Sequence, residues 1–271
     1  MPNAQSPRIH PTAVISPHAD LAADVQVGPY VVIEGEVRVG PGCVLRPYVH
    51  LCGPLRMGEG NVVFSGTVLG ERPQHLKYHD EPTSLEIGDY NIFREHVTIH
   101  RGTTHSWKTR VGNHNFFMAH CHIGHDCQVG SRCIFANGAL VAGHCVIEDQ
   151  VYLSGNCAIH QFTRLGRLSL LSGASVTTKD IPPFVMQQGI NCVVGINAVG
   201  MRRAGMTSEQ IHAVRRAFHI IYWQEKVLSS AVTKVEEELG TVDAVREMLA
   251  FIRASTRGIN LMRDRGREEA A

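Results

Sequence analysis

The chain of 271 residues is long enough to bury a large core, and charged residues make up only 19% of it. Its formal net charge of +1 argues against binding of nucleic acid or an anionic membrane through overall charge, so we expect no nucleic-acid partner. No apolar run approaches the roughly 18 residues of a membrane span, and the first residues lack the hydrophobic segment of a signal peptide. We therefore expect a cytoplasmic protein with no transmembrane segment.

Apolar residues recur at every sixth position from Ile9 to Leu171. Of the 28 positions in this register, only His75, Glu81 and His105 are not apolar. A period of six fits neither an amphipathic helix, whose period is 3.6, nor a half-buried strand, whose period is 2. It is typical of short strands and turns that stack, three to a coil, into a parallel β-helix with the register residue inside.

Most of the cysteines follow the same register. Six of the eight stand four residues after a register position: Cys43, Cys121, Cys127, Cys133, Cys145 and Cys157. We interpret them as small buried side chains rather than as zinc ligands or disulfide partners. Cys52 and Cys192 fall outside this set and show no C-x-x-C spacing. This usage favours a reducing compartment.

Two loops interrupt the repeat, near residues 70–84 and 104–110. When the register is followed through them, the six-residue units that begin at 69, 99, 123, 141 and 159 stack on one face. That face carries the four histidines His100, His125, His144 and His160. A fifth, His122, is expected at the corner just before it. Because inserted loops commonly carry function, we expect the functional site here.

The repeat ends at Ile181-Pro182-Pro183, because proline lacks the N–H that a central strand needs. The sequence thus predicts a β-helix over residues 1–183 and a connector with a helical domain over 184–271. Thr207 and Gln210 form a capping-box pattern before a helix that includes Tyr222. A second helix is predicted over 231–239, and a third is predicted with Thr241 as its cap.

The histidine cluster allows several interpretations. It is a coincidence of surface residues, or a zinc site like that of β-helical carbonic anhydrases, in which three histidines hold the metal. Alternatively, it is an acid–base site in which one histidine takes a proton from a hydroxyl or amine that attacks an acyl group. A β-helix that only binds partners is a further alternative.

An ordered set of motifs resembles one family over nearly the whole chain. The motifs are Gln74-x-x-Lys77-Tyr78, Val97-Thr98-Ile99-His100-Arg101-Gly102-Thr103, His122-Ile123-Gly124-His125-Asp126-Cys127, Ala142-Gly143-His144, Ile159-His160-Gln161-Phe162 and Arg202-Arg203. They are similar to the UDP-N-acetylglucosamine acyltransferases. The resemblance implies a left-handed β-helix with a C-terminal helical domain. It also implies transfer of an R-3-hydroxyacyl chain from acyl carrier protein to the 3-hydroxyl of UDP-N-acetylglucosamine, the first step of lipid A synthesis.

The resemblance also implies roles for single residues. His125 would be the general base, Asp126 would orient it, and the Gly143 N–H would donate to the oxyanion. Gly173 would limit the acyl pocket, and a glycine there leaves room for a long chain. The implied substrate-binding residues are Gln74, Lys77, His100, His122, His144, His160, Gln161 and Arg203, the last as a phosphate ligand. No metal or other cofactor is implied.

The family resemblance implies a homotrimer with sites between adjacent β-helices, and an acidic acyl carrier protein as partner. Candidate contacts for that partner are Arg164, Arg167, Lys179, Arg215 and Arg216.

Four positions depart from the family pattern. His75 replaces an acidic sugar contact, Asn191 replaces a histidine near the nucleotide, and Val199 and Ala204 replace polar or basic neighbours of the phosphate-binding arginine. These departures leave a second acceptor open, a 3-amino analogue of UDP-N-acetylglucosamine that would give an amide.

Overall fold

The computed structural model describes residues 8–262, and most of them form a parallel β-helix. Its strands are β1 Val14–Ile15, β2 Asp20–Leu21, β3 Gln26–Val27, β4 Val32–Glu34, β5 Val37–Val39, β6 Val44–Leu45, β7 His50–Cys52, β8 Leu55–Met57, β9 Val62–Val63, β10 Val68–Glu71, β11 Ser84–Ile87, β12 Ile92–Phe93, β13 Thr98–His100, β14 Lys108–Val111, β15 Phe116–Phe117, β16 His122–Ile123, β17 Gln128–Val129, β18 Ile134–Phe135, β19 Leu140–Val141, β20 Val146–Ile147, β21 Tyr152–Leu153, β22 Ala158–Ile159, β23 Arg164–Leu165, β24 Leu170–Leu171 and β25 Val176–Thr177.

Every third strand pairs in parallel, which makes three faces. Face 1 contains β1, β4, β7 and every third strand to β25; face 2 begins with β2 and face 3 with β3. On face 1 the register residues align from coil to coil, as in Leu69 beside Ile99, Ile99 beside Ile123, and Val141 beside Ile159. The predicted stacking of the units at 69, 99, 123, 141 and 159 is therefore confirmed.

The interior is filled by the register residues. Phe93, Phe117 and Phe135 are fully buried and stack in a column with centroid spacings of 5.0 and 4.5 Å. The six cysteines of the register are buried as predicted. Several of these thiols donate to backbone carbonyls of the next coil, for example Cys133 to Glu148 at 3.1 Å. They are therefore part of the packed core.

Two loops leave the β-helix after strands of face 1. The first, residues 72–83, joins β10 to β11, and the second, residues 101–107, joins β13 to β14. The second loop ends earlier than the predicted 104–110, because residues 108–111 pair with β11 and residues 110–111 also pair with β17. The arginine and lysine in 108–110 therefore project from a strand.

The β-helix is closed at its C-terminal end by helices. Strands β26 Val185–Gln187, β27 Cys192–Ile196 and β28 Leu261–Met262 extend face 3 past Pro183. The helices are α1 Ala198–Arg203, α2 Ser208–His219, α3 Leu228–Leu239 and α4 Asp243–Arg253. Among residues 8–262 no helix is both long and apolar enough to cross a membrane.

The predicted capping box is confirmed, because Thr207 accepts from the Gln210 backbone and Gln210 accepts from the Thr207 backbone. Tyr222 lies in a π-helical turn, Ile220–Gln224, that continues α2. The prediction that Thr241 caps the third helix was wrong, because the residue before α4 is Val242, whose side chain cannot accept a hydrogen bond.

Candidate active site

The candidate site lies where successive coils of face 1 turn toward face 2. Asp126 and His144 occupy equivalent corner positions one coil apart, with φ of +62° and +63°. The His144 backbone N–H donates to the His125 carbonyl at 2.9 Å. This hydrogen bond joins the two corners, so His144 lies directly beside His125. His122 lies within β16 rather than at the corner where the sequence placed it.

His125 and Asp126 are in direct contact. Nδ1 of His125 lies 2.7 Å from Oδ2 of Asp126, and their side chains are 12% and 0% exposed. Neighbours along a chain do not in general point together, but here the left-handed backbone at Asp126 turns its carboxylate back toward the imidazole. An imidazole held through Nδ1 keeps Nε2 free to accept a proton.

Asp126 is held by three residues that sequence reasoning missed. The Thr103 N–H and hydroxyl donate to its two carboxylate oxygens at 3.0 and 2.7 Å, and the Ser106 hydroxyl donates to Oδ1. Its own N–H donates to Oγ1 of Thr109 at 2.8 Å. The hydroxyls of Thr103 and Ser106 belong to the second loop, and that of Thr109 belongs to β14. These three residues form a cradle for Asp126, which the loop therefore helps to build.

The cradle keeps Asp126 ionised. Burial by itself would raise the pKa of Asp126, but hydrogen bonds from His125, Ser106 and Thr103 outweigh it and hold that pKa well below its ordinary value. A carboxylate that stays ionised also stabilises an adjacent imidazolium whenever His125 takes up a proton.

Gly143 lies against the His125 ring. A Cβ at Gly143 would stand 2.8 Å from Cε1 and 2.9 Å from Nε2 of His125, so only glycine leaves the ring in place. A Cβ on Gly124 would in turn lie 2.6 Å from the Gly143 nitrogen. Among residues 8–262 the Gly143 N–H has no hydrogen-bond acceptor. The geometry therefore presents a free N–H beside a histidine.

His144 forms the other wall of the site. Its ring stacks on Phe162 with centroids 4.2 Å apart, and it meets the His125 ring edge-on at 4.8 Å. Nδ1 of His144 is buried, lies 3.7 Å from Oδ2 of Asp126 and has no hydrogen-bond partner in the described chain. Burial lowers the pKa of His144, although Asp126 opposes the shift. His144 is thus kept neutral near pH 7.

Two loop histidines close over the cluster. The His75 ring meets the His125 ring edge-on with centroids 5.3 Å apart, and the His105 ring meets that of His144 at 4.6 Å. Both are residues that break the six-residue register, which was the signal available in the sequence. The register predicted that they leave the β-helix but not that their loops fold back over the corner.

A second pair of histidines lies next to the first along face 1. His100 and His122 meet edge-on with centroids 5.0 Å apart, and Nδ1 of His122 lies 2.8 Å from the Thr98 hydroxyl. The Gln74 N–H donates to Nδ1 of His100 at 3.3 Å, so the first loop is fastened there. Burial lowers the pKa of His100 to about 4, and it also lowers the pKa of His122.

Comparison with known proteins identifies the family. Residues 180–260 match the family model for domain 2 of UDP N-acetylglucosamine O-acyltransferase, and residues 108–143 match the bacterial transferase hexapeptide model of six repeats. Two curated relatives, from Halorhodospira halophila and Thiobacillus denitrificans, are named acyl-[acyl-carrier-protein]–UDP-N-acetylglucosamine O-acyltransferase. They are 42% and 43% identical to this chain over 93% of it and 98% of their own lengths. The chain belongs to this acyltransferase family.

Solved structures of the same family share the fold. The enzyme from Acinetobacter baumannii is 40% identical with a TM-score of 0.91, covering 95% of this chain and 100% of its own. The enzyme from Bacteroides fragilis is 38% identical with a TM-score of 0.90, covering 93% and 99%. The left-handed β-helix followed by a helical region is thereby confirmed.

The other residues expected from the acyltransferase resemblance lie outside this cluster. Lys77 is exposed on the first loop, and His160 and Gln161 are exposed at the next corner after His144. Arg203 is exposed in the last turn of α1. Gly173 lies on the surface, where a Cβ would meet only the Gly155 carbonyl oxygen at 3.6 Å.

Three of the basic residues expected to meet the carrier protein are already paired within the chain. Arg167 makes two hydrogen bonds to Glu247, at 2.8 and 2.7 Å, and its guanidinium lies over Phe184. Arg164 lies over the Phe251 ring, and Arg216 pairs with a glutamate of α3. These three therefore hold the helices to the β-helix or to each other. Lys179 and Arg215 are exposed and, among the described residues, have no ion-pair partner.

The zinc interpretation requires three histidine ligand atoms that converge on one point, and among residues 8–262 the convergent group here contains only two histidines. Within residues 8–262, the convergent group at this site consists of His125, His144 and Asp126, whose ligand atoms lie within 4.8 Å of one another. Oδ2 of Asp126 already accepts from His125 and Thr103. The carboxylate is thus used as an orienting group for the histidine.

Proposed function

We propose that the protein transfers an R-3-hydroxyacyl chain from acyl carrier protein to the 3-hydroxyl of UDP-N-acetylglucosamine, as the first step of lipid A synthesis. The observation that carries this proposal is the His125–Asp126 contact at 2.7 Å, in a corner walled by Gly143 and His144. The names of the relatives support the substrates. A donor carried by acyl carrier protein also favours a cytoplasmic location.

His125 acts as the general base. With Nδ1–H donated to Asp126, Nε2 takes the proton of the acceptor hydroxyl while its oxygen attacks the thioester carbonyl carbon. The buried carboxylate stabilises the imidazolium that forms. His125 then returns the proton to the departing sulfur, so the step needs no covalent acyl-enzyme and no metal.

The Gly143 N–H stabilises the tetrahedral intermediate. Attack on the thioester puts negative charge on the carbonyl oxygen, and a pre-placed donor lowers the energy of that oxyanion, typically by a few kcal/mol. Gly143 offers an N–H with no competing acceptor in the described chain, next to the base. The absence of a side chain lets both the base and the thioester approach it closely.

Residues outside the His125–Asp126 pair bind the substrates. Lys77 and Arg203 provide exposed cations for the diphosphate, and the guanidinium fork is well suited to phosphate oxygens. Gln74, His100, His122, His144, His160 and Gln161 position the sugar and the acyl group. Gly173, which carries no side chain, leaves room for a long acyl chain.

The active assembly is a homotrimer. The catalytic corner lies on an open face, and a neighbouring β-helix would supply the missing wall. On the same face Leu140, 49% exposed, lies between His122 and Ala158, so an apolar side chain adjoins the site. Covering such a side chain in a subunit interface is favourable.

A second acceptor is supported by His75. This residue stands where the family has an acidic sugar contact, and its ring lies 5.3 Å from that of His125. A departure this close to the base favours an altered acceptor group, such as the 3-amine of an amino-sugar analogue, which would give an amide. The same base would take the proton of the amine.

Product analysis separates the two acceptors. The protein is incubated with 3-hydroxyacyl carrier proteins of several lengths and with either UDP-N-acetylglucosamine or its 3-amino analogue, and products are identified by mass spectrometry. We expect the ester product from the hydroxyl acceptor. If only the amide forms, the acceptor is the 3-amine rather than the 3-hydroxyl. If neither acceptor is acylated, the proposed function is overturned.

A further inference from the structure

Face 1 carries a second group of convergent ligand atoms, nearer the N-terminus than the catalytic corner. We propose that Glu34, His50 and Cys52, completed by Glu71, form a binding site for a divalent zinc ion. The first three offer ligand atoms that all lie within 4.8 Å of one another. None of the four has a role in the proposed reaction.

The strand register brings these residues together. Cys52 pairs directly with Glu34 of the neighbouring coil, and His50 stands two residues before Cys52 on β7. Alternate residues of a strand share a side, so both project outward while Leu51 fills the core. Glu71 ends β10, the next strand of the face, and reaches back to Cys52. Three successive coils thus supply the four ligands.

Three of the distances between these ligand atoms are close to those of a tetrahedral site. Sγ of Cys52 lies 3.3 Å from Nε2 of His50 and 3.5 Å from Oε2 of Glu71, and Nε2 of His50 lies 3.5 Å from Oε2 of Glu34. Zinc bond lengths of about 2.0–2.3 Å and tetrahedral angles place ligand atoms roughly 3.3–3.6 Å apart. The Glu34, His50 and Cys52 atoms therefore need little change when an ion enters, whereas Glu71, which lies outside that convergent group, must turn its carboxylate from Cys52 toward the other two ligands.

The charges are also compatible with zinc. Two carboxylates, one thiolate and a neutral imidazole around Zn²⁺ leave one net negative charge, once Cys52 has released its proton to solvent. Arg101 supplies a neighbouring positive charge, because its guanidinium donates to the carbonyl of Gly53, the residue after Cys52. Sulfur, nitrogen and oxygen donors together favour zinc over magnesium or calcium.

The site lies at the root of the first loop. Glu71 is the last residue before the loop 72–83, its side chain accepts from the Arg72 N–H at 2.7 Å, and its carbonyl accepts from the Arg101 N–H at 3.1 Å. An ion bound to Glu71 would tie this root to the two coils below. Zinc binding is therefore expected to slow tryptic cleavage in the loop, which exposes Lys77.

Cobalt substitution tests the site without any measurement of activity. Metal-free full-length protein is titrated with Co²⁺, and the near-ultraviolet thiolate-to-cobalt charge-transfer band is recorded. The convergent group at the catalytic corner contains no thiol, so the band reports only a cysteine site. We expect one equivalent of Co²⁺ to produce the band and Zn²⁺ to displace it.

Matched variants assign the ligands. Cys52→Ser should abolish the band, and His50→Gln and Glu34→Gln, at half-buried and exposed positions, should weaken binding at least tenfold. Cys192→Ser and the exposed Glu36→Gln are the controls and should bind like the unaltered protein. If Cys52→Ser does not fold, His50→Gln decides the question.

Three results would overturn the proposal. They are Co²⁺ binding without the charge-transfer band, a band that survives in His50→Gln at unchanged affinity, and metal uptake that is lost in His144→Gln but not in His50→Gln. The last result would assign the metal to the catalytic corner. A failure of the proposed acyl transfer would leave this site untouched, because its readout is spectroscopic.

Discussion

Asp126 has an ionised carboxylate buried beside His125, with five hydrogen bonds from Thr103, Ser106 and His125. Asp126→Asn should lower kcat by about 100-fold, because an amide neither fixes the reactive tautomer nor stabilises imidazolium. The double variant with His125→Ala should be no slower than His125→Ala alone, since the two side chains act as a unit. Steady-state kinetics with Asp149→Asn, at another corner, as the control measures both effects. Additive losses in the double variant would contradict the coupling.

Gly143 is the second residue on which the chemistry depends. Gly143→Ala places a Cβ 2.8 Å from His125 Cε1, so the ring must move and kcat should fall more than tenfold with little change in melting temperature. Gly195→Ala is the matched control, because a Cβ there would meet no atom within 4 Å and the residue has no role in the proposed reaction. Full turnover by Gly143→Ala would show that this close approach does not matter.

His100 makes stability depend on pH. Its pKa is lowered from 6.5 to about 4, mainly by burial, so the neutral form is favoured in the folded state. This contribution is complete above pH 6.5 and is lost as pH falls toward 4, on the order of 3 kcal/mol in all. Chemical denaturation should therefore show a steeper loss of unfolding free energy across this window for the unaltered protein than for His100→Gln. The exposed His114→Gln is the control, and parallel curves for the unaltered protein and His100→Gln would contradict the expectation.

At the scale of single residues, the sequence predicted the residues of the catalytic corner better than the residues that hold them in place. The register placed His125 and His144 on one face, whereas the parts played by Asp126 and Gly143 were expected only from the family resemblance. Thr103 and Ser106 come from a loop whose path depends on tertiary contacts, which no period encodes. The cluster around Cys52 was missed for a similar reason, because its ligands come from three coils and only His50 and Cys52 are close in the sequence.

At the scale of elements, the aromatic column sets much of the stability of the β-helix. Phe117 stacks between Phe93 and Phe135 and is fully buried, so Phe117→Ala should cost about 3–5 kcal/mol of unfolding free energy. The adjacent Phe116 points outward, and Phe116→Ala should cost less than half as much. If the two variants lose equal unfolding free energy in denaturant titrations, stacking in the aromatic column is not the main contribution to the stability of the β-helix.

The strands and the helices differ in how well their ends could be predicted. The strands follow from one strict period, because each register residue must enter the core for its coil to close. The end of a helix depends on a single capping residue. Thr207 was correctly predicted as the cap of α2, whereas the residue before α4 is Val242, so Thr241 is not the cap of that helix. The second loop was predicted three residues too late in the chain, because residues 108–110 of β14 are polar yet pair with β11.

At the scale of the whole molecule, the open catalytic face predicts self-assembly. Light scattering on the purified protein should give three times the 29.8 kDa of one chain. Replacing the exposed Leu140 by glutamate should shift the mass toward one chain, whereas the same change at the exposed Val194 on β27, on another face, should not. A single-chain mass for the unaltered protein would contradict the homotrimer.

The most direct test of the account is the turnover of His125→Ala. Acyl transfer to UDP-N-acetylglucosamine is followed by mass spectrometry, beside melting temperature and light scattering that show the variant to be folded and assembled like the unaltered protein. The account predicts a fall in kcat of at least 100-fold, because no other group takes the acceptor proton. Full turnover by a correctly folded and assembled His125→Ala would contradict the assignment of His125 as the base.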